Sequence, residues 1–386
     1  MKKLLMILTL SALIFTGCAD EKGTTVSDLC VFSLTADGIP MKTMLSTGKR
    51  TAVCVDPLCD HGVDCTLYGC EDYIVCGNQF VFVRGNLSVD RNTGEQSGAI
   101  ELIAYDMTSG EAARLDRMDD AIILLGSCDR YVFFSAAERD ESGKSVFRVF
   151  RADIKNRKVI SLPLGEFAAE ENVDTSLVPA VWTIADGRVY WYLPGEDGYE
   201  YFTTDLAGKN KRAIEIDEPC LMNGVYHDGF AYFTERVSEK AFSECSDQLE
   251  RLEWMNVNRL CRVELSGGGK TIISENVADY IVTDDGIFFV SVEPEPRGFV
   301  KNSETYYDLF GGKVYRSDGV KTELFCEIGY DLSVSGGTFA GFRGGYIALS
   351  FMDDVAEEYY ASGFDYNVSD RFIIIDTRTG KCGISE

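Results

Sequence analysis

Five cysteines and one histidine crowd into residues 54–76: Cys54, Cys59, His61, Cys65, Cys70 and Cys76. Thiolates and a neutral imidazole are the ligand types of tetrahedral zinc, so Cys59, His61 and Cys65, with Cys54 or Cys70 as the fourth, form a candidate structural zinc set. The spacing Cys-x4-Cys-x-His-x3-Cys departs from the common zinc-finger spacings. A disulfide framework is the leading expectation, because such bridges pin an irregular segment that builds no core of its own. A third reading is a group of small buried thiols around a satisfied histidine. All three are structural roles, since a catalytic zinc needs an open position and a general base, and no residue is singled out as that base.

Other chemistry is sparse in the sequence. The only further histidine, His227, stands just before Asp228-Gly229 at a turn, where a surface role is the ordinary one. No Gly-x-Ser-x-Gly elbow or Walker loop is present. Gly267-Gly268-Gly269-Lys270 is read as a hairpin turn, with no helix after it to cradle a phosphate. The carboxylate doublets Asp119-Asp120, Glu170-Glu171, Asp353-Asp354 and Glu357-Glu358 point to opposite faces of a strand, so none is itself a glycosidase pair. No catalytic residue is therefore assigned. Tyr359, Tyr360, Phe364 and Tyr366, in an acidic insertion over 353–370, are candidates for stacking on sugars or peptides.

The N-terminus reads as an address. Lys2 and Lys3 precede an apolar run, Leu4 to Phe15, that falls short of the ~20 residues needed to span a bilayer. It is a signal peptide by pattern, over residues 1–17. Phe15-Thr16-Gly17-Cys18 looks like a bacterial lipobox, which makes Cys18 the expected lipid attachment site and 18–28 a short tether. The expected location is the outer face of a cell membrane, with the membrane as one partner and an envelope protein or glycan as another. Of the 13 cysteines, twelve remain once Cys18 is lipidated, an even number that suits bridges. Loss of 1–17 removes two lysines and no acid, so the net charge of −25 becomes −27. A body this acidic excludes nucleic acid as a partner.

The elements that position these residues recur along the chain. An Asp- or Gly-led turn enters an aromatic strand at Asp129-Arg130-Tyr131-Val132-Phe133-Phe134, Asp186-Gly187-Arg188-Val189-Tyr190-Trp191, Asp228-Gly229-Phe230-Ala231-Tyr232-Phe233 and Asp285-Gly286-Ile287-Phe288-Phe289. A second turn ends at Gly48, Gly110, Asn156, Gly208, Gly267, Gly319 and Gly380, at intervals of 46 to 62 residues. Short aromatic strands at such a period predict an all-β fold, a β-propeller. Seven blades fit the turns, with the first completed by the other end of the chain; six blades and an N-terminal extension is the alternative. Residues 29–386 are read as one propeller domain. The insertion 239–258 carries Cys245, Leu249 and Leu252 at helical spacing.

The lipobox, the segment Cys54-Val55-Asp56-Pro57-Leu58-Cys59-Asp60-His61 and the strand cassettes together resemble lipoproteins of Firmicutes with TolB-like propellers. That resemblance implies a surface-attached propeller acting as a binding or interaction module, and it implies no catalytic residues. An extracytoplasmic carbohydrate-active hydrolase or lyase, using carboxylates of the propeller channel, is the alternative expectation.

Overall fold

The computed structural model describes residues 25–26, 29–35, 38–89, 96–118, 122–139, 145–164, 167–169, 180–185, 187–195, 198–214, 224–266, 268–293, 297–301, 304–333, 339–350 and 372–385. The leader, Cys18, all four carboxylate doublets and the insertion 353–370 with Tyr359, Tyr360, Phe364 and Tyr366 lie outside the described residues.

Alternating aromatic and β-branched residues make strands nearly throughout. In chain order these are β1 (Cys30–Leu34), β2 (Pro40–Met44), β3 (Arg50–Ala52), β4 (Cys70–Cys76), β5 (Gln79–Val89), β6 (Gln96–Asp106), β7 (Ala112–Met118), β8 (Ile122–Cys128), β9 (Tyr131–Arg139), β10 (Ser145–Asp153), β11 (Lys158–Ser161), β12 (Phe167–Ala169), β13 (Ala180–Ala185), β14 (Arg188–Gly195), β15 (Gly198–Asp205), β16 (Arg212–Ile214) and β17 (Val225–His227). Next come β18 (Phe230–Arg236), α1 (Gln248–Asn256), β19 (Asn258–Glu264), β20 (Thr271–Thr283), β21 (Gly286–Ser291), β22 (Arg297–Lys301), β23 (Glu304–Asp308) and β24 (Phe310–Ser317). The last are β25 (Thr322–Ser333), β26 (Phe339–Arg343), β27 (Tyr346–Ser350), β28 (Phe372–Asp376) and β29 (Cys382–Ile384).

One compact unit comprises residues 15–231 with 263–269. Its three-stranded sheet β1-β2-β3 is followed by the antiparallel meanders β4-β5-β6-β7, β8-β9-β10-β11 (with β12 on β10) and β13-β14-β15-β16. The first strands of successive meanders are neighbours: β4 lies beside β8, β8 beside β13, and β13 beside β17. Phe133 and Phe134 face opposite sides of β9, yet both are fully buried, which requires cover on both faces of the sheet. Phe133 packs with Ile184, Val189, Trp191 and Phe202 of the next meander, while β9 also meets β4 and β7 of the preceding one. Meanders stacked face to face with their first strands side by side are propeller blades, so the expected fold class holds.

The second unit comprises residues 1–14, 232–262 and 270–386. Here β20 plays two parts: its first half pairs β19, and beyond a register shift near Val277 its second half pairs β21. One strand thus closes one meander and opens the next. Phe288 and Val314 of the meander β20-β21-β24-β25 share a core with Ile347, Leu349, Ile373 and Ile375 of the meander β26-β27-β28-β29. The final strand β29 pairs β28 inside its own sheet. The insertion 239–258 is helical as expected, with α1 capped by Asp247, whose carboxylate accepts the Glu250 amide at 2.9 Å.

The turn cassettes match their predicted chemistry. Asp129 (φ 53°) and Gly187 (φ 68°) supply the left-handed position between first and second strands. At the second turn an aspartate ends or directly follows the third strand and its carboxylate accepts turn amides: Thr108 and Ser109 on Asp106 at 2.8 and 2.9 Å, and Val320 and Lys321 on Asp318 at 2.8 and 2.7 Å. At 153–156 the positive φ falls on Arg157 (51°) and not on Asn156, whose two nitrogens donate to Asp153 instead.

A further repeated device emerges only in the structure. Asp-Tyr-Ile-Val occurs at 72–75 in β4 and again at 279–282 in β20. The Tyr73 hydroxyl donates to the Phe32 carbonyl at 2.7 Å, and the Tyr280 hydroxyl donates to the Tyr232 carbonyl at 2.8 Å. The Asp72 carboxylate accepts the Leu124 amide, and Asp279 accepts the Phe339 amide at 2.8 Å. Each pair therefore ties its strand to a strand before it and to the first strand of a later meander.

Candidate metal centre

The segment between β3 and β4 carries the cysteine and histidine cluster. Its backbone is a run of turns, and each turn follows from its residues. Asp56-Pro57-Leu58-Cys59 places proline at the second turn position, where its fixed φ is suited. The Cys59 amide donates to the Asp56 carbonyl at 3.2 Å, and the Asp56 carboxylate accepts the Leu58 amide at 2.9 Å. This reversal returns the chain so that Cys59 faces Cys54. His61 takes a left-handed conformation, φ 59°, and the Asp60 carboxylate accepts the Gly62 amide at 3.0 Å. A last turn, with the Cys65 amide on the Gly62 carbonyl at 2.9 Å, brings Cys65 back to the same point.

The result is a four-residue cluster: the ligand atoms of Cys54, Cys59, His61 and Cys65 all lie within 4.8 Å of one another. In a tetrahedral zinc–thiolate site, metal–sulfur bonds of about 2.3 Å put the sulfurs about 3.8 Å apart, so a modest contraction closes the shell. Two amides already point at the sulfurs. The His61 amide meets the Cys59 sulfur at 3.4 Å, and the Leu67 amide bonds the Cys65 sulfur. Such donors favour thiolate over thiol. Against them, burial pushes the Cys65 thiol up to about 12, and the neighbouring Cys59 and Cys54 push the same way. Without a cation, then, Cys65 is held as a neutral thiol, and a divalent ion reverses that balance. The Nδ1 atom of His61 is buried without a hydrogen-bond partner, which suits a nitrogen awaiting a metal or a proton acceptor.

Support comes from the blade beneath. Val53, Cys65 and Leu67 are buried in one core with Phe80, Phe82, Ile103 and Tyr105, and Phe32 and Leu34 of β1 pack on it. The Tyr105 hydroxyl accepts the Val55 amide at 3.0 Å and bonds the Cys54 thiol. Burial raises the Tyr105 phenol, which keeps it a neutral partner.

Of the residues nominated from sequence, Cys54, Cys59, His61 and Cys65 come together, and Cys54 takes the fourth position that was open between it and Cys70. Cys70 stands apart at the start of β4, where its thiol points to the Asp72 carbonyl at 3.7 Å and burial raises its pKa. The disulfide framework is not found: no bridge joins any two of the eleven cysteines of the described residues, Cys54, Cys59, Cys65, Cys70 and Cys76 among them. Cys76 bonds the Asp129 carbonyl and belongs to a blade-to-blade contact.

One other concavity, of about 390 Å³, is lined by Gln79, Asp106, Glu111, Asp129, Arg130 and Lys155, among others. Burial raises the Asp106 carboxyl, but bonds from the Ser109 and Thr108 amides and from Gln79 outweigh this and hold it below the usual range. A carboxyl so held stays ionised and is no proton donor for glycoside cleavage.

No family model and no curated protein matches the chain. Among solved structures it is similar to an uncharacterized protein from Listeria monocytogenes EGD-e, at 12% identity over 82% of this chain and 94% of that one, with a TM-score of 0.41. The β-propeller domain of the Trilobed protease from Pyrococcus furiosus matches at 12% identity, covering 74% and 78% of the two chains, with a TM-score of 0.42. TolB from Acinetobacter baumannii matches at 9% identity, covering 77% and 63%, with a TM-score of 0.38.

Proposed function

We propose that this chain is a lipid-anchored, extracytoplasmic β-propeller that works as a binding or interaction module, and that Cys54, Cys59, His61 and Cys65 hold a structural zinc ion in it. The observation that carries this reading is the closed ligand set. Four protein ligands would complete a tetrahedral shell and leave no position for substrate or activated water, as in a structural site. Three thiolates and an imidazole select zinc over the hard cations that prefer oxygen.

The anchor rests on Lys2, Lys3, the apolar run and the Gly17-Cys18 step. Val26 follows Cys18 by eight residues, packs on the core that carries the metal cluster, and donates its amide to Asn78 at 2.9 Å. Eight residues reach at most about 28 Å, so a lipid on Cys18 keeps this blade close to the membrane.

Metal analysis and fractionation test both parts. Wild-type protein is expected to carry one zinc per chain and to sediment with membranes. Cys59→Ser loses the zinc, and Cys18→Ala releases the protein in soluble form. Turnover of a cell-wall glycan or peptide by the purified protein would overturn the binding-module reading in favour of the hydrolase or lyase.

A further inference from the structure

The metal segment also carries a set of exposed apolar side chains. Among the described residues, Val55, Leu58, Val63 and Tyr68 are large apolar side chains in solvent, with Leu58 93% and Val63 76% exposed. Single exposed apolar residues are ordinary, but a set on one short loop is a mark of an interaction surface. These four are not strays of a loose loop. Leu58 is the third residue of the Asp56–Cys59 turn, between the ligands Cys54 and Cys59. Val63 is the second residue of the Gly62–Cys65 turn, between the ligands His61 and Cys65. The ligand cluster that gathers Cys54, Cys59, His61 and Cys65 therefore fixes both corners and holds both side chains outward.

Within the segment itself the charge has one sign, and the one guanidinium that reaches it, Arg84 on the Thr66 carbonyl at 3.2 Å, is paired with Glu101. No lysine or arginine occurs between Arg50 and Arg84, whereas Asp56, Asp60, Asp64, Glu71 and Asp72 do. Aspartates 56, 60 and 64 stand beside the apolar corners within the ligand segment. We propose that residues 54–68 form a docking surface for a protein partner offering an apolar pocket rimmed by lysine and arginine. This rests on the zinc reading above, since the ion is what rigidifies the corners. Charge complementarity favours that partner. A bilayer is disfavoured, because seating Leu58 and Val63 in it carries Asp56, Asp60 and Asp64 into headgroups that are often anionic.

Photo-crosslinking of the full-length chain in cells tests this, with a benzophenone amino acid at position 58, at 63, or at 320 as a control. Val320 is 88% exposed and lies in the other unit. The expected result is one protein captured from 58 and from 63 and not from 320, joined through a peptide flanked by lysine and arginine. With that partner purified, Leu58→Asp is expected to weaken binding about 10- to 100-fold, the worth of one buried leucine, and added salt is expected to weaken it further. An adduct to lipid, an adduct to an acidic surface, equal capture at 320, or no adduct overturns the docking surface. One zinc per chain without an adduct leaves the metal centre standing. An adduct on protein that holds no zinc leaves the surface and removes the metal as its support.

Discussion

Zinc binding by Cys54, Cys59, His61 and Cys65 has a stability consequence that can be sized. A ligand that binds only the folded chain stabilises it by RT ln(1 + [L]/Kd), about 4.1 kcal/mol when free ligand exceeds Kd a thousandfold. In a cooperative unit of about 150–250 residues, each kcal/mol moves the unfolding midpoint about 2–4 °C. Wild-type protein in zinc buffered at that level is therefore expected to melt about 8–16 °C above the same protein in chelator. The variant His61→Asn isolates the ligand. His61 sits at φ 59°, and asparagine tolerates that conformation, so the backbone is kept while the imidazole is lost. It is expected to melt like the chelated wild type at either zinc level. Tyr105→Phe removes the hydroxyl that contacts the Val55 amide and the Cys54 thiol, and it is expected to weaken zinc about 10- to 100-fold, as losses beside metal ligands do. Differential scanning calorimetry with buffered zinc reads all three proteins. A midpoint in wild type that ignores zinc refutes the metal centre.

Two further outcomes follow from the blades. Asp205 ends β15, and its pKa is lowered by bonds from the Lys209 and Ala207 amides and from Asn210; Asp106, Asp153 and Asp318 are lowered by amides of their turns, and Asp376 first by the Arg378 guanidinium and then by the Arg378 amide. Because the unfolded carboxyls protonate first, this stability is whole above the ordinary Asp value of about 3.9 and drains as pH falls through the lower folded values. Urea unfolding is expected to show that drain, and a smaller one in Asp205→Ala, which at neutral pH costs about 1 kcal/mol for its turn bonds. Tyr280→Phe, which deletes the hydroxyl donated to the Tyr232 carbonyl, is expected to cost about 1–3 kcal/mol because that carbonyl loses its latch. An unchanged urea midpoint in that variant would show the latch to be idle.

The strand cassettes were legible because their signals are local. Asp129 and Gly187 take the positive φ that Asp-Arg and Asp-Gly turns lead one to expect. Buried pairs such as Phe133 and Phe134 read as strands covered on both faces. Cysteine chemistry was legible only as a set. Count and compartment argue for bridges, but pairing depends on where turns send each sulfur, and the Asp56–Cys59 and Gly62–Cys65 turns gather three thiols around an imidazole instead. Choosing Cys54 over Cys70 needed the start of β4, which fixes Cys70 in the blade. The Asp-Tyr latches are marked in the sequence only by Asp-Tyr-Ile-Val at 72–75 and 279–282, two places too far apart for any local pattern to join. The double duty of β20 left no mark at all, since one 13-residue strand reads like any other until its two partners are known.

Why the metal segment lies between β3 and β4 has a physical answer in the first sheet. Within its unit, the meanders from β4 through β16 each have four strands, while β1-β2-β3 has three, and β3 is only three residues long. Three strands are about the least that can stand independently, and only with a hydrophobic face or other cover. What covers it is the segment that follows: Phe32 and Leu34 of β1 pack on the core containing Val53, Cys65 and Leu67, and Tyr73 of β4 bonds the Phe32 carbonyl. An ion that fixes Cys54, Cys59, His61 and Cys65 would therefore hold the cover over the smallest of the unit's sheets. Hydrogen exchange makes this testable amide by amide. On chelation, protection is expected to fall about 10- to 100-fold at Val31 and at Thr43, which face each other across β1 and β2, equivalent to about 1.4–2.7 kcal/mol of local stability, while Val189 and Trp191 in β14 keep theirs. Equal loss in both sheets would mean that the ion supports the unit as a whole. Loss at neither would mean that the sheet stands without the ion, and the structural role would go with it.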